Sequence, residues 1–363
     1  MLDLKAQYAT IRAEVQTAIH TVLEAQQFIL GPQVQAFEEE VARYCGRRYA
    51  VGVASGTDAI ILAARAAGIG PGDEVIVPSF SYIASVDSLT LLGARPVFAE
   101  IQPDTFNLDP KKIEEKITSR TRTIVAVHLY GQSADMDPIL QIARAHKLRV
   151  IEDNAQSFGA TYRGKKSGSM GDLGCLSFFP SKNLGGCGDG GMVVTDSEEL
   201  HGELRGLRSH GESRKYFSER QGWNSRLDEI QAAILRVKLK YVELWNAARR
   251  TAAAIYDEQL RNVPGVIAPP VASWGEHVFH QYTIRCARRD AVQKALSEQE
   301  IASTVYYPTP IHLQPIYRAL GGKPGDLPET ERASREVLSL PMYPELTREL
   351  IERVANAVKQ AAN

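Results

Sequence analysis

The stretch SFFPSKNLGGCGDGG, residues 177–191, places Lys182 two residues after a proline and at the entrance to a glycine-rich run. An amine set where the backbone leaves room for a ligand can attack a carbonyl and form an imine. The same spacing also describes a surface turn with a solvated lysine. Three other stretches end apolar runs with polar groups. VIEDNAQSFGA carries Asp153 and Gln156 just past a strand-like run, where ligands sit in open parallel sheets and where Asp also caps helices. VASGTDAIILAARAAG opens a helical pattern with Ser55, Gly56, Thr57 and Asp58. Such a helix start has free N–H groups and a positive dipole end that suit a phosphate, and it is equally an ordinary cap. PSFSYIAS puts Tyr82 at the end of a further run, where an aromatic ring can stack on a ligand or pack in a core.

An amine, a carboxylate, a phosphate cradle and a flat aromatic at the strand ends of one sheet form the set that pyridoxal phosphate requires. Its aldehyde takes the lysine, its pyridine nitrogen keeps a proton beside a carboxylate, and its ring acts as an electron sink.

The elements that must position these residues are readable as patterns. EVIVPSFSYI, RPVFAEI, TIVAVHLYG, LRVIEDNAQS, GCLSFFP and GGMVVTD read as strands, several of them continuously apolar. Between them GTDAIILAARAAG, DPKKIEEKI and DPILQIARAHK carry helical periodicity. The alternation predicts an α/β fold with a mostly parallel central sheet flanked by helices. The glycines of GIGPGDEVIV precede a strand and do not join a strand to a helix, so they mark a turn, not a dinucleotide loop. A helical stretch from Asn224 to Leu260 reads as a bridge between domains. Beyond it, a Pro- and β-rich segment and the helical patterns RRDAVQKALSEQE and TRELIERVANAVKQAAN predict a smaller α+β domain. The expected division is 1–245 for the large domain with its N-terminal helical segment and 246–363 for the small one.

Composition narrows the partners. The 363 residues include 42 basic and 43 acidic side chains, a formal net charge of −1, with no polybasic block. Neither nucleic acid nor a membrane surface is an expected partner. The N-terminal MLDLKAQYATIRAEV is charged and helical in pattern, and no apolar run approaches the ~18 residues of a membrane span, so the cytoplasm is the expected location. Four scattered cysteines and eight histidines show no metal-binding or disulfide spacing, and no metal is expected.

The ordered motifs FILGPQVQAFEEEVA, SGTDAI, GIGPGDEVIVPSFSYIAS, VHLYGQSADMDPI, VIEDNAQSFGA, SFFPSKNLGGCGDGGMV, NSRLDEIQAAIL, YYPTPIHLQPIY and LPETERASREVLSLPMYPEL span nearly the whole chain. With them the sequence resembles the DegT/DnrJ/EryC1/StrS sugar aminotransferases of the fold-type I aspartate aminotransferase superfamily. The resemblance implies that Lys182 forms the imine, Asp153 pairs with the pyridine nitrogen and Gln156 bonds the phenolic oxygen. It places Tyr82 at the ring-stacking position. Gly56, Thr57 and Asp58 match the phosphate cradle, with the Ser177 hydroxyl added. Asn224 matches an asparagine that reaches the phosphate from the neighbouring subunit, which implies a homodimer with shared active sites. The glycines near Lys182 are expected to admit cofactor and dimer partner, and Asp189 reads as a turn residue.

The implied reaction moves an amino group from L-glutamate to a nucleotide-linked keto sugar, with pyridoxamine phosphate as the intermediate carrier. The run AQSFGA…SFFPSKNLG resembles members that aminate 3-keto sugars, UDP-linked 3-keto-N-acetylglucosaminuronates and dTDP-linked 3-keto-6-deoxyhexoses among them, with 4-keto sugars the alternative. Candidate substrate contacts are Tyr306, Tyr307 and His312, each equally a packed residue. Arg226 is a further candidate, able to grip an anionic group or to pair with Asp228 or Glu229. Some relatives are dehydratases with histidine in place of the lysine, which Lys182 argues against. The set of Lys182, Asp153 and Gln156 argues against a regulator that binds cofactor without turnover.

Overall fold

A computed structural model describes residues 1–362. Its centre is a seven-stranded sheet built from β1 (Tyr49–Val53), β2 (Glu74–Pro78), β3 (Arg95–Ala99), β4 (Thr121–Val127), β5 (Arg149–Asp153), β6 (Leu173–Ser177) and β7 (Gly191–Thr195), in the spatial order β1-β7-β6-β5-β4-β2-β3. Only β7 runs against its neighbours. The six expected runs all form strands, and YAVGV adds β1 at the edge.

The apolar runs are continuous because both faces of the sheet are covered. Successive side chains alternate between two cores. Val75 and Val77 of β2, Val125 and Val127 of β4, and Ile151 of β5 face one cluster, which also holds Ile60 and Leu62 of the helix α3 (Gly56–Ala66). Ile76, Ile124, Ala126 and Val150 face the other, with Met136 and Ile139 of the helix Met136–His146. This parity decides the site. Asp153 shares the face of Ile151, and Ser177 shares that of Cys175, so both strands end toward the N-terminus of α3.

The stretch from Asn224 to Leu260 is not one helix. Residues 224–228 are non-helical, and the helices Glu229–Leu239 and Val242–Leu260 meet at Lys240 and Tyr241. The first packs on the helices Leu4–Ala25 and Pro32–Cys45, the second on the C-terminal helix Arg348–Ala362, and the two sets of partners demand a change of direction. DPKKIEEKI also differs from expectation, forming two short 3₁₀ turns, Pro110–Lys112 and Glu114–Lys116. Pro110 and Ile113 are its only buried residues, too little to hold a longer helix against the core.

The second core surrounds an antiparallel sheet of Val266–Ile267, Tyr282–Cys286 and Val337–Leu340. Tyr256, Ile284, Leu296, Leu338 and Val354 fill it. The helix Val242–Leu260 changes partners along its length: Val242 packs with the large domain, whereas Ala252 onward packs in this second core. A division at 245/246 falls inside that change. Residues beyond it do not all stay with the small sheet, because Ile311 and Tyr317 return to the large-domain core, and the side chain of Val337 reaches that core from the small sheet itself. Asn363, the last residue of the expected C-terminal helix and domain, lies outside the described residues. Among the described residues no helix is long and apolar enough to cross a membrane.

Candidate active site

A cavity of about 420 Å³ opens at the carboxyl ends of β4, β5 and β6, where α3 begins. Lys182 lines it from the turn after β6, with its backbone N–H donated to the Phe179 carbonyl at 2.8 Å. Burial lowers its ammonium from the usual 10.5 to about 8, and the charge of Asp153 opposes that fall. A lysine held this way is neutral often enough near neutral pH to act as a nucleophile.

The glycines beside it serve the fold of the loop itself. A Cβ at Gly185 would stand 2.4 Å from the Pro180 carbonyl oxygen, and one at Gly191 would stand 2.2 Å from that of Ser55. The expectation that these glycines make room for cofactor and partner is therefore replaced, at these two positions, by close approach within one chain.

Asp153 ends β5 and is held at both oxygens: Oδ2 accepts from Ser85 Oγ at 2.6 Å and Oδ1 from the Ala155 N–H at 3.1 Å. Its neighbour Glu152 points to the opposite face. There it bonds His128 Nε2 at 2.8 Å and accepts the N–H groups of Gly168, Met170 and Gly171. Burial pushes the Glu152 carboxyl up, but the His128 pairing and these N–H donors outweigh it and hold the group below the usual carboxylate range. The end of β5 is thus clamped on one face so that Asp153 is fixed on the other.

Gln156 accepts the Tyr130 N–H at 2.9 Å and donates one amide hydrogen to Tyr307 Oη at 2.9 Å, leaving the second for a ligand. Tyr82 lines the cavity and is 56% exposed, so it is not a core aromatic; its ring centroid lies 6.2 Å from that of Tyr307. Gly56, Thr57 and Ser177 also line the cavity. Ser55 Oγ caps α3 by accepting the Asp58 N–H at 3.1 Å, while the N–H groups of Gly56 and Thr57 have no acceptor among the described residues. A Cβ at Gly56 would lie 2.6 Å from Ser177 Cβ, so only glycine lets the helix start meet β6.

The remaining candidates are placed differently. The Asp58 carboxylate is turned away, accepting from Ser225 Oγ at 2.7 Å, and does not line the cavity. Its position at the cradle is structural, because Ser225 also accepts the Ala54 N–H and so ties the helix start to the edge of the sheet. Asn224 is exposed and outside the cavity of its own chain. Arg226 is half-buried, also outside it, and forms no ion pair among the described residues. Glu229 is occupied elsewhere, accepting the Gln33 and Val34 N–H groups. Tyr306 and Tyr307 line the cavity, and Tyr130 Oη donates to the Tyr306 carbonyl.

His312, a candidate substrate contact, is instead a packed residue. It is 2% exposed, with its N–H donated to Ser79 Oγ at 2.9 Å and its Nδ1 2.7 Å from the same oxygen, behind the cavity wall. Several polar lining residues escaped sequence reasoning as site residues, among them Asp189, His280 and Gln281, with Ser81 and Ser181. So did Ser85, which reaches the site only through Asp153.

The fit to pyridoxal phosphate rests on this geometry. One end of the cavity offers unpaired helix N–H groups and a glycine-only approach, a carboxylate sits at the wall, and a lysine of lowered pKa faces the same space. A lysine so placed beside a carboxylate and a phosphate cradle defines a site for a carbonyl cofactor of the pyridoxal phosphate class. The chain belongs to the DegT/DnrJ/EryC1/StrS aminotransferase family, whose model matches residues 9–359. A UDP-N-acetyl-3-dehydro-α-D-glucosamine 3-aminotransferase of Acidithiobacillus ferrooxidans is 48% identical over 360 residues, covering 99% of this chain and 97% of its own. A Geobacillus stearothermophilus protein named as a pleiotropic regulatory protein is 47% identical over 368 residues, covering 100% and 99%. The crystal structure of DesV from S. venezuelae, solved with a ketimine intermediate, superimposes with a TM-score of 0.98 at 46% identity, covering 100% of this chain and 98% of that one.

Proposed function

We propose that this protein transfers the amino group of L-glutamate to the third carbon of a nucleotide-linked 3-keto sugar, using pyridoxal phosphate, in a homodimer whose sites are shared. The observation that carries the reading is Lys182, with its pKa lowered to about 8, facing the same cavity as Asp153 and the unpaired N–H groups of α3. Pyridoxal phosphate, when bound, supplies an electron-accepting ring that stabilises negative charge on the reacting carbon.

The chain's own residues do the rest. Gly56 and Thr57 N–H groups, with the Ser177 hydroxyl, hold the phosphate. The Asp153 carboxylate, fixed by Ser85 and Ala155, keeps a proton on the pyridine nitrogen. Gln156, with one amide hydrogen free, would bond the phenolic oxygen, and the exposed ring of Tyr82 would be available to stack on the cofactor. Lys182, a neutral amine part of the time at its lowered pKa, would be the group that holds the cofactor's carbonyl carbon, and its Nζ would be the base placed to hold and return a proton at the reacting carbon. Tyr306 and Tyr307 border the substrate side.

Asn224, exposed and outside the lining of its own cavity, is available to the phosphate of a second subunit, and Arg226 beside it, without an ion pair among the described residues, to an anionic group there. The choice of a 3-keto sugar is supported by the Acidithiobacillus relative, named for amination at that carbon. The test is glutamate-dependent amination of a panel of UDP- and dTDP-linked 3-keto and 4-keto sugars. Turnover of a 3-keto sugar supports the proposal; turnover of 4-keto sugars alone, or of none, contradicts it.

A further inference from the structure

The segment entering the small-domain strand Tyr282–Cys286 places two consecutive polar side chains, His280 and Gln281, on the wall of the cavity that Lys182 lines. Neither is among the residues assigned above to the cofactor. They are 9% and 8% exposed, and the segment docks on the large domain through the Gln281 N–H, donated to the Tyr130 carbonyl at 3.2 Å.

Hydrogen-bond accounting settles the state of His280. Asn183, the residue after Lys182, gives its amide hydrogens to Asn246 Oδ1 at 2.7 Å and to the Val278 carbonyl at 3.1 Å. Its Oδ1, 3.2 Å from His280 Nδ1, can then only accept, so Nδ1 carries the ring hydrogen. Nε2 is left with a bare lone pair and no donor among the described residues. Burial, with the positive charges of Lys182 and Arg249 nearby, opposes a second proton and keeps the ring neutral. Gln281 adds an independent observation: its buried side-chain oxygen has no hydrogen-bond partner among the described residues. An acceptor left unpaired in a native core calls for an explanation, and a ligand supplies one.

His280 Nε2, which can only accept, divides the two substrates of the proposed reaction, and the Gln281 amide beside it offers its oxygen as a second acceptor although its NH2 does not discriminate. Glutamate presents carboxylates, which bring only further acceptors. A sugar ring presents hydroxyl and amide N–H donors. Resting on the function proposed above, we propose that His280 Nε2 and the Gln281 amide are the sugar-reading groups of the site, accepting hydrogen bonds from donors that flank the keto carbon. Asn183 is the positioning residue that turns the imidazole for this task.

The two half-reactions separate the idea from its base. Cofactor absorbance follows the reaction with L-glutamate and, in reverse, with UDP-2-acetamido-3-amino-2,3-dideoxy-α-D-glucose and dTDP-3-amino-3,6-dideoxy-α-D-galactopyranose. In His280→Asn the side-chain amide can still donate to Asn183, but nothing replaces Nε2; Gln281→Met keeps the volume and removes the acceptor. The expected result in both is an amino-sugar half-reaction that falls at least about tenfold more than the glutamate half-reaction, chiefly through weaker binding. His280→Gln, which restores a polar group at the place of Nε2, recovers part of the loss. Cofactor-free Gln281→Met melts at or above the wild-type temperature, because it loses an unpaired buried oxygen. Parallel loss of both half-reactions, or a lower melting temperature for cofactor-free Gln281→Met, overturns the assignment and makes the pair structural. A wild-type protein that reacts with glutamate but with neither amino sugar overturns the 3-amino-sugar reading, and this assignment with it.

Discussion

Ser85 donates its hydroxyl hydrogen to Asp153 at 2.6 Å from the first turns of the helix Ala84–Thr90, three residues after Tyr82. One short stretch, SYIAS, therefore delivers both the aromatic at the cavity mouth and the group that fixes the carboxylate at its wall. Ser81 Oγ, 2.8 Å from Ser85 Oγ, fixes that hydroxyl in turn.

Ser85→Ala is expected to keep the fold and the cofactor but to lower turnover about tenfold or more, the usual worth of a hydrogen bond to a charged group. Steady-state kinetics and cofactor content measured on the same sample check this. Turnover within about twofold of wild type would leave Ser85 without a role.

The lowered pKa of Lys182 has a direct readout in how fast cofactor-free protein captures pyridoxal phosphate. Only the neutral amine reacts, so the rate rises with pH and levels off above about 8, well short of the ordinary 10.5. The charge of Asp153 holds Lys182 higher than burial alone would. Asp153→Asn therefore moves the rise to lower pH, while its turnover falls by at least about a hundredfold through loss of the ionic partner. A midpoint that stays put or moves up in the variant contradicts the geometry.

Glu152 ties acid stability to the site. Its folded pKa is depressed, so its contribution is fully present above the ordinary carboxylate value of about 4.3 and drains away as pH falls through the folded value. Glu152→Gln removes that part of the acid limb. At neutral pH it destabilises by roughly 3–5 kcal/mol, since the N–H groups of Met170 and Gly171 and the buried His128 lose their charged partner. Urea unfolding at a series of pH values measures both effects, and identical acid limbs for wild type and variant would refute the clamp.

Much of this site was legible because its residues end apolar runs. Asp153, Gln156 and Ser177 follow strands whose burial is continuous, and SGTD begins a helix whose periodicity is plain. The rest depends on contacts distant in sequence. Ser85 meets Asp153 across 68 residues, and its own stretch reads simply as the start of a helix. His280 and Gln281 read as the approach to a small-domain strand; they reach the cavity because that segment lies against Gly131, where a Cβ would come 2.8 Å from the His280 nitrogen. His312 shared a motif with Tyr306 and Tyr307, but Ser79 pins it on the far side of the wall. The break at Lys240 and Tyr241 carries neither proline nor glycine and follows only from what the two helices pack against.

Site sharing is open to complementation. Lys182→Ala and Asn224→Ala proteins, each deeply impaired, are mixed and allowed to exchange subunits. If Asn224 serves the partner's site, each mixed dimer holds one intact site, and activity recovers to about a quarter of wild type at equal mixing. No recovery after verified exchange would mean that each site is built within one chain.

The central claim is that Lys182 is the amine that holds the cofactor and yields it to the amino donor. Borohydride reduction of the cofactor-loaded protein, followed by peptide mass mapping, tests this most directly. The pyridoxyl mass is expected on Lys182 alone, and it should disappear when L-glutamate is added before the borohydride. A label on another lysine, or a label on Lys182 that glutamate leaves untouched, would contradict the account.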